Sequence, residues 1–177
     1  MSSMANLIES ATEGDKVDLK SICQALGVKL KSDDCMTDLG KISNTEVGVC
    51  ITLNKRSDIK TKHTVIALAL SEYILTPSRV TSRGISYDIF FMKDMSTKKF
   101  SPSIMLAIRL AIPEHIIEKI SSQIESEFEP NKSTVDGLSF DVDKYINESK
   151  FLPQFLRCSI KDNTAMYLLD KVHNSHD

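Results

Sequence analysis

Few side chains in this sequence stand where they could do chemistry, and the most conspicuous is a carboxylate in apolar surroundings. Glu72 lies inside Val65-Ile66-Ala67-Leu68-Ala69-Leu70-Ser71-Glu72-Tyr73-Ile74-Leu75, where only Ser71 otherwise interrupts the apolar series. A carboxylate in such a setting must find donors or take up a proton. It reads in two ways: as a group that bonds a nearby Arg, Lys or backbone group or opens onto a solvated cleft, or as one that reads the charge of a bound partner. The remaining reactive types are scattered. His63 precedes Leu68 by five residues and so falls on a different helical face, His115 follows Pro113, and His173 and His176 stand at i, i+3 near the end of the chain. These read as surface or capping histidines. Asp88 with Asp94, and Asp141 with Asp143, are close carboxylate pairs of a kind common on polar faces. Cys23, Cys35, Cys50 and Cys158 form no C-x-x-C and read as free thiols rather than a disulfide framework or a zinc knuckle, and Cys23, Cys35 and Cys50 show no adjacent basic activator that would make them nucleophiles. There is no G-x-S-x-G, no Walker-type glycine loop and no G-x-G-x-x-G.

The stretch that carries Glu72 must itself be placed by the fold. It has no alternation, and no Gly or Pro interrupts it before Pro77, so it predicts a helix over about 62–76, apolar nearly all round and therefore buried. It is too short to span a bilayer. Upstream, residues 1–16 are poorly patterned. Leu19, Ile22, Cys23 and Leu26 then repeat at helical spacing, with Asp15 or Asp18 to cap the helix and Gly27 to end it. Val28 to Asn54 changes period. Val47, Val49, Ile51 and Leu53 share one face, turn signals stand at Ser32-Asp33-Asp34 and Ser43-Asn44-Thr45, and two or three antiparallel strands fit.

Downstream of Pro77, Ile85 to Met92 alternates as a short strand. Ser101-Pro102 opens a second buried helix, broken only by Arg109 and stopped by Pro113. Glu114 to Phe128 restarts with Ile116, Ile117, Ile120 and Ile124 on one face. Glu129 to Ser133 is a linker, Phe140 to Ile146 and Phe151 to Leu156 bring further apolar anchors, and Ser159 caps a last helix through Val172. These elements divide the chain into the N-terminal segment 1–16, an α+β core over 17–128, and a C-terminal segment, 129–177, that packs on it.

Composition narrows the classes. At 177 residues the chain is long enough to bury about 70% of its unfolded surface. A net charge of −2 leaves no global field to draw it onto nucleic acid or anionic lipid. The first residues lack the basic and apolar regions of a signal peptide, so the expected compartment is the cytoplasm.

The order of these segments resembles the ImmA/IrrE family of zinc metallopeptidase-like proteins, over roughly Val17 to Val172. That family places an N-terminal helix before a small sheet, then a helix of pattern T-L-A-H-E-L-G-H-Y-L-L. A second helix follows, ending L-L-M-P, and then F-x-V-S and R-L. Val65 to Leu75 lies on the H-E-x-x-H helix and Leu106 to Pro113 on the second. Phe155-Leu156-Arg157-Cys158-Ser159 lies on F-x-V-S, and Tyr167-Leu168 stands where R-L would. In H-E-x-x-H, two His at i and i+4 face one zinc and the Glu activates the metal-bound water. Those three places here hold Leu68, Ala69 and Glu72, and the downstream acidic ligand falls on Phe100.

The resemblance implies a zincin-like α+β fold, a small antiparallel sheet on a helical core, with the zinc motif lost. It implies no metal, no cofactor and no catalysis. Leu68 and Ala69 would fill the emptied metal pocket. Family members commonly act beside repressors of phages and mobile elements and relieve repression by cleaving them. A member without ligands would bind such a partner stoichiometrically, as an antirepressor or similar regulator of a DNA-binding protein, in the host cytoplasm if phage encoded. Two alternatives remain. A divergent metallopeptidase or other hydrolase conflicts with Leu68 and Ala69. Direct DNA binding would have to use a local patch of Arg79, Arg83, Lys93, Lys98 and Lys99.

Overall fold

The computed structural model describes residues 4–94, 102–128, 140–157 and 160. Expectations placed on Phe100, Ser101, Lys98, Lys99, residues 129–133, Cys158, Ser159, Tyr167 to Val172, His173 and His176 lie outside the described residues.

The architecture is α+β. Where the sequence is poorly patterned, the chain forms a short helix, α1 (Met4–Ser10), and a two-stranded hairpin, β1 (Thr12–Glu13) with β2 (Lys16–Val17). Ala11 and Val17 are buried there. Asp18, rather than Asp15, caps α2 (Leu19–Ala25), its carboxylate accepting from Lys20 N. Gly27 follows at φ +69°, the left-handed conformation that lets the chain leave the helix without a Cβ penalty.

The main sheet contains β3 (Lys29–Asp33), β4 (Gly40–Thr45), β5 (Gly48–Asn54) and β6 (Ile85–Tyr87), in the order β3-β5-β4-β6. β4 pairs antiparallel with β5 and β6, but β3 runs parallel to β5. Two antiparallel strands, β4 and β5, thus lie where two or three were expected, and β3 joins them in parallel. After β3 the chain crosses the end of β5 instead of turning back beside β3. Asn54 holds this crossing by donating from Nδ2 to the carbonyls of Met36 and Asp38. β4 therefore lands on the far side of β5.

One sheet face carries Ile42, Ile51 and Leu53 against α3 (Ile59–Leu75). Gly40 makes this approach close: a Cβ there would lie 2.6 Å from Val65 Cγ1. Asp58 caps α3 by accepting from Thr61 N and Thr61 Oγ1, so the helix starts three residues before the apolar pattern suggests. Every residue from Thr64 to Ser71 is buried. The helix is enclosed by the sheet together with α5 (Pro102–Ala111), which contributes Ala107, Ile108, Leu110 and Ala111. Pro113 separates α5 from α6 (Glu114–Phe128), whose Ile116 and Ile120 join the same core.

β6 stops at Tyr87 instead of running to Met92. Its register on β4 runs from Ile42↔Ile85 to Gly40↔Tyr87, and Gly40 is the first residue of β4. Beyond Tyr87 there is no partner strand left. The chain turns into α4 (Ile89–Asp94), with Met92 N bonding the Asp88 carbonyl.

The C-terminal segment packs on the first half of α3. Asp141 caps α7 (Val142–Glu148), and residues 153–157 are helical. Ile146, Phe151, Phe155 and Leu156 are buried. Lys60 Nζ donates to the Asn147 carbonyl, and Leu152 N donates to Oγ1 of the fully buried Thr64. Among the described residues, no helix is long and apolar enough to cross a membrane.

Candidate functional site

Leu68, Ala69 and Glu72 come from one buried helix but meet different surroundings. Leu68 is 3% exposed and Ala69 is fully enclosed, both within the hydrophobic core. Glu72, one turn after Leu68, lies where α3 begins to leave the core, and its side chain retains 12% exposure.

The turn after α3 supplies its partners. Thr76 ends the helix, its N–H donating to the Glu72 carbonyl, and its hydroxyl has one proton to share between that carbonyl oxygen and the Glu72 carboxylate, each 3.0 Å away. Pro77 cannot continue the helix. Pro77–Arg79 instead forms a 3-10 turn in which Arg79 N bonds the Thr76 carbonyl. That turn folds Arg79 back over the helix end. Arg79 Nη1 donates to Glu72 Oε1 at 2.5 Å, and Thr76 Oγ1 lies 3.0 Å from the same oxygen.

Tyr87, at the end of β6, completes the neighbourhood. Burial, and then the Glu72 carboxylate, raise its phenol above the ordinary tyrosine range, while Arg79 partly opposes the shift. Four residues from α3, the following turn and β6 are thus gathered at one corner of the core. The sequence marks Glu72 as needing a donor and names Arg79 only as part of a basic patch. Thr76 and Tyr87 carry no chemical pattern that would single them out.

The other candidate residues lie elsewhere. His63 is nine residues before Glu72 on the same helix, about 13 Å along its axis. Its Nδ1 lies 3.0 Å from the Ile59 carbonyl, and its ring meets Phe151 edge-on with centroids 6.0 Å apart. Burial lowers its pKa, and Lys150 adds to this, while the Ile59 carbonyl and Asp18 work the other way. His115 Nε2 pairs with Asp15 Oδ1 at 3.0 Å, tying α6 to the N-terminal hairpin. Asp141 serves as the α7 cap, and Asp143 pairs with Arg157 at 3.1 Å. The Cys23 thiol is pushed up to about 12, chiefly by burial and then by Asp18, so it is no nucleophile near neutral pH.

Among the described residues, the group of potential ligand atoms within 4.8 Å of one another is Asp33, Asp34 and Cys35, at the end of β3 and away from Glu72. Asp33 Oδ1 already accepts from Cys35 N.

Chemically, the Glu72 corner is a carboxylate held by a guanidinium and a hydroxyl. Leu68 and Ala69 offer neither a metal ligand nor a base. No protein-family model matches the chain, and no curated protein or solved structure shows significant similarity to it.

Proposed function

We propose that this chain is a catalytically inactive, peptidase-like module of the ImmA/IrrE type that acts by holding a protein partner stoichiometrically. The partner class is a DNA-binding repressor or similar regulator, and the effect is antirepression, in a phage or prophage setting. The reading rests on the resemblance in segment order and on one structural observation. The helix that would carry H-E-x-x-H has closed two of its three chemical positions into the core, and the third is engaged with Arg79 and Thr76.

Physical chemistry explains why such a helix would persist without its metal. Replacing polar ligands by apolar side chains removes buried atoms that would need partners. The remaining carboxylate is satisfied locally, so the corner is stable with no ion. A partner approaching it meets Arg79 first, since that side chain is 66% exposed whereas Glu72 is 12% exposed. Recognition at this corner therefore reads a guanidinium backed by a carboxylate, which suits a partner carboxylate or a main-chain carbonyl.

The test is the zinc content of protein purified without chelator. The proposal expects none retained. Near-stoichiometric zinc that is lost in Glu72→Gln would sink it, because the helix would then still be a metal helix.

A further inference from the structure

β3 ends the main sheet, hydrogen-bonded to β5 on one side only. Lys29, Leu30, Lys31 and Ser32 are all exposed, and Asp33 is partly so. Among the described residues, no other main chain pairs with Lys29 to Ser32. The register gives this edge two different faces. Leu30 stands beside Ile51, on the side of the sheet that meets α3, and keeps 37% exposure. Lys29 and Lys31 stand beside Cys50 and Thr52 on the opposite side, where Lys41 is the next neighbour of Thr52 across β5. Asp33, the only acid on the strand, is at its far end and accepts from Cys35 N.

A free edge with this pattern selects what can join it. A second β3 fits less well: antiparallel pairing centred on Leu30 sets Lys29 against Lys31, parallel in-register pairing sets like against like, and registers centred on Lys31 or Ser32 gain only the Lys29–Asp33 or Lys31–Asp33 pairs at the strand end, the first with Lys31 against Lys31 at its centre. An acidic strand meets the reverse situation, with a carboxylate available for each ammonium and main-chain bonds along the ladder. A phosphate backbone fits less well. It cannot continue a peptide ladder, and β3 has no aromatic ring on which a base could stack.

We propose that β3 is a docking edge for an acidic, extended segment of a partner protein. The segment pairs main chain to main chain, sets alternate acidic side chains over Lys29 and Lys31, and lays an apolar one beside Leu30. This deepens the reading of the chain as a protein binder and rests on it. The edge is nonetheless separate from the Glu72 corner, so the two can fail independently.

The experiment is an amide NMR titration of the full chain with a heptapeptide alternating glutamate and valine. Three comparison probes are the same peptide N-methylated at alternate residues, a lysine–valine peptide, and a short DNA duplex. The expected result is shifts confined to Lys29 to Asp33 and their β5 neighbours, with binding lost on N-methylation. Binding should weaken about tenfold or more in the exposed double variant K29E/K31E, which should instead take up the lysine–valine peptide. Glu72→Gln should leave the titration unchanged, which separates this edge from the corner at Glu72. Binding indifferent to N-methylation, tighter binding of the duplex, shifts centred elsewhere, or no binding by the glutamate peptide would each overturn the proposal.

Discussion

Arg79 reaches back seven residues to place its guanidinium on Oε1 of Glu72, and Thr76, midway between them, bonds the same oxygen. The contact is made by the 3-10 turn that Pro77 forces, so the residue that ends α3 also supplies its last carboxylate with a partner. Because Arg79 is largely exposed, the pair is worth little as a source of stability. Arg79→Ala should cost about 0.5 kcal/mol in urea unfolding at low salt, and the gap should close at about 1 M salt. A loss of several kcal/mol that salt leaves unchanged would mean that the corner is a buried structural network.

Ala69 leaves no room for the base of a metallopeptidase. It is fully enclosed in the core. Ala69→Glu should destabilise the protein by about 3 kcal/mol or more, because a carboxylate there meets neither water nor a described partner. Leu68→Ala, which leaves a cavity instead, should cost about 2–5 kcal/mol. Equilibrium unfolding of both variants checks this. An Ala69→Glu protein as stable as the parent would mean that the helix opens onto solvent at this position.

Thr64 is the polar tie between α3 and the C-terminal segment. Its hydroxyl is buried, donates to the Lys60 carbonyl at 2.9 Å and accepts from Leu152 N at 3.0 Å. Thr64→Val keeps the shape and orphans the Leu152 amide, which should cost about 1–3 kcal/mol. Hydrogen exchange should accelerate at Leu152 and its neighbours while β4 and β5 stay protected. Unchanged exchange at Leu152 would show that the segment is held by Phe151, Phe155 and Leu156 alone.

His63 gives the fold a pH dependence of definite sign. Burial against Phe151 is the first cause of its lowered pKa, so below the ordinary value of 6.5 the unfolded chain binds a proton more readily than the folded one. The stability contribution is therefore complete above 6.5 and is lost as pH falls through the folded midpoint. The lowered carboxylates of the cap residues Asp18 and Asp58 act in the same direction, but only further down, below 3.8. Urea midpoints from about pH 7.5 to about pH 5 should fall for the parent and flatten in His63→Gln. A ring titration midpoint at or above 6.5 would contradict this.

Much of the local structure was legible because it depends on neighbours in the chain. Asp18 before Leu19, Gly27 after Leu26, Pro77 after Leu75 and Pro113 after Ile112 each mark a boundary that the backbone obeys. Strand direction was not legible. Alternation at Val49, Ile51 and Leu53 names a face and says nothing of whether the next strand runs parallel, which here depends on Asn54 holding the carbonyls of Met36 and Asp38. The end of β6 was hidden for a similar reason, since Tyr87 is the last residue with a β4 partner. At the site, the need of Glu72 for a donor could be read from its apolar setting. The identity of that donor depends on a turn whose geometry only the fold supplies.

The central claim is that this protein holds its partner and does not cut it. The most direct measurement is the intact mass of the regulator recovered from a purified complex after prolonged incubation, taken with the stoichiometry of that complex. The account predicts a one-to-one complex whose partner keeps its full mass. A partner cleaved at one site, with cleavage abolished by Glu72→Gln, would contradict it.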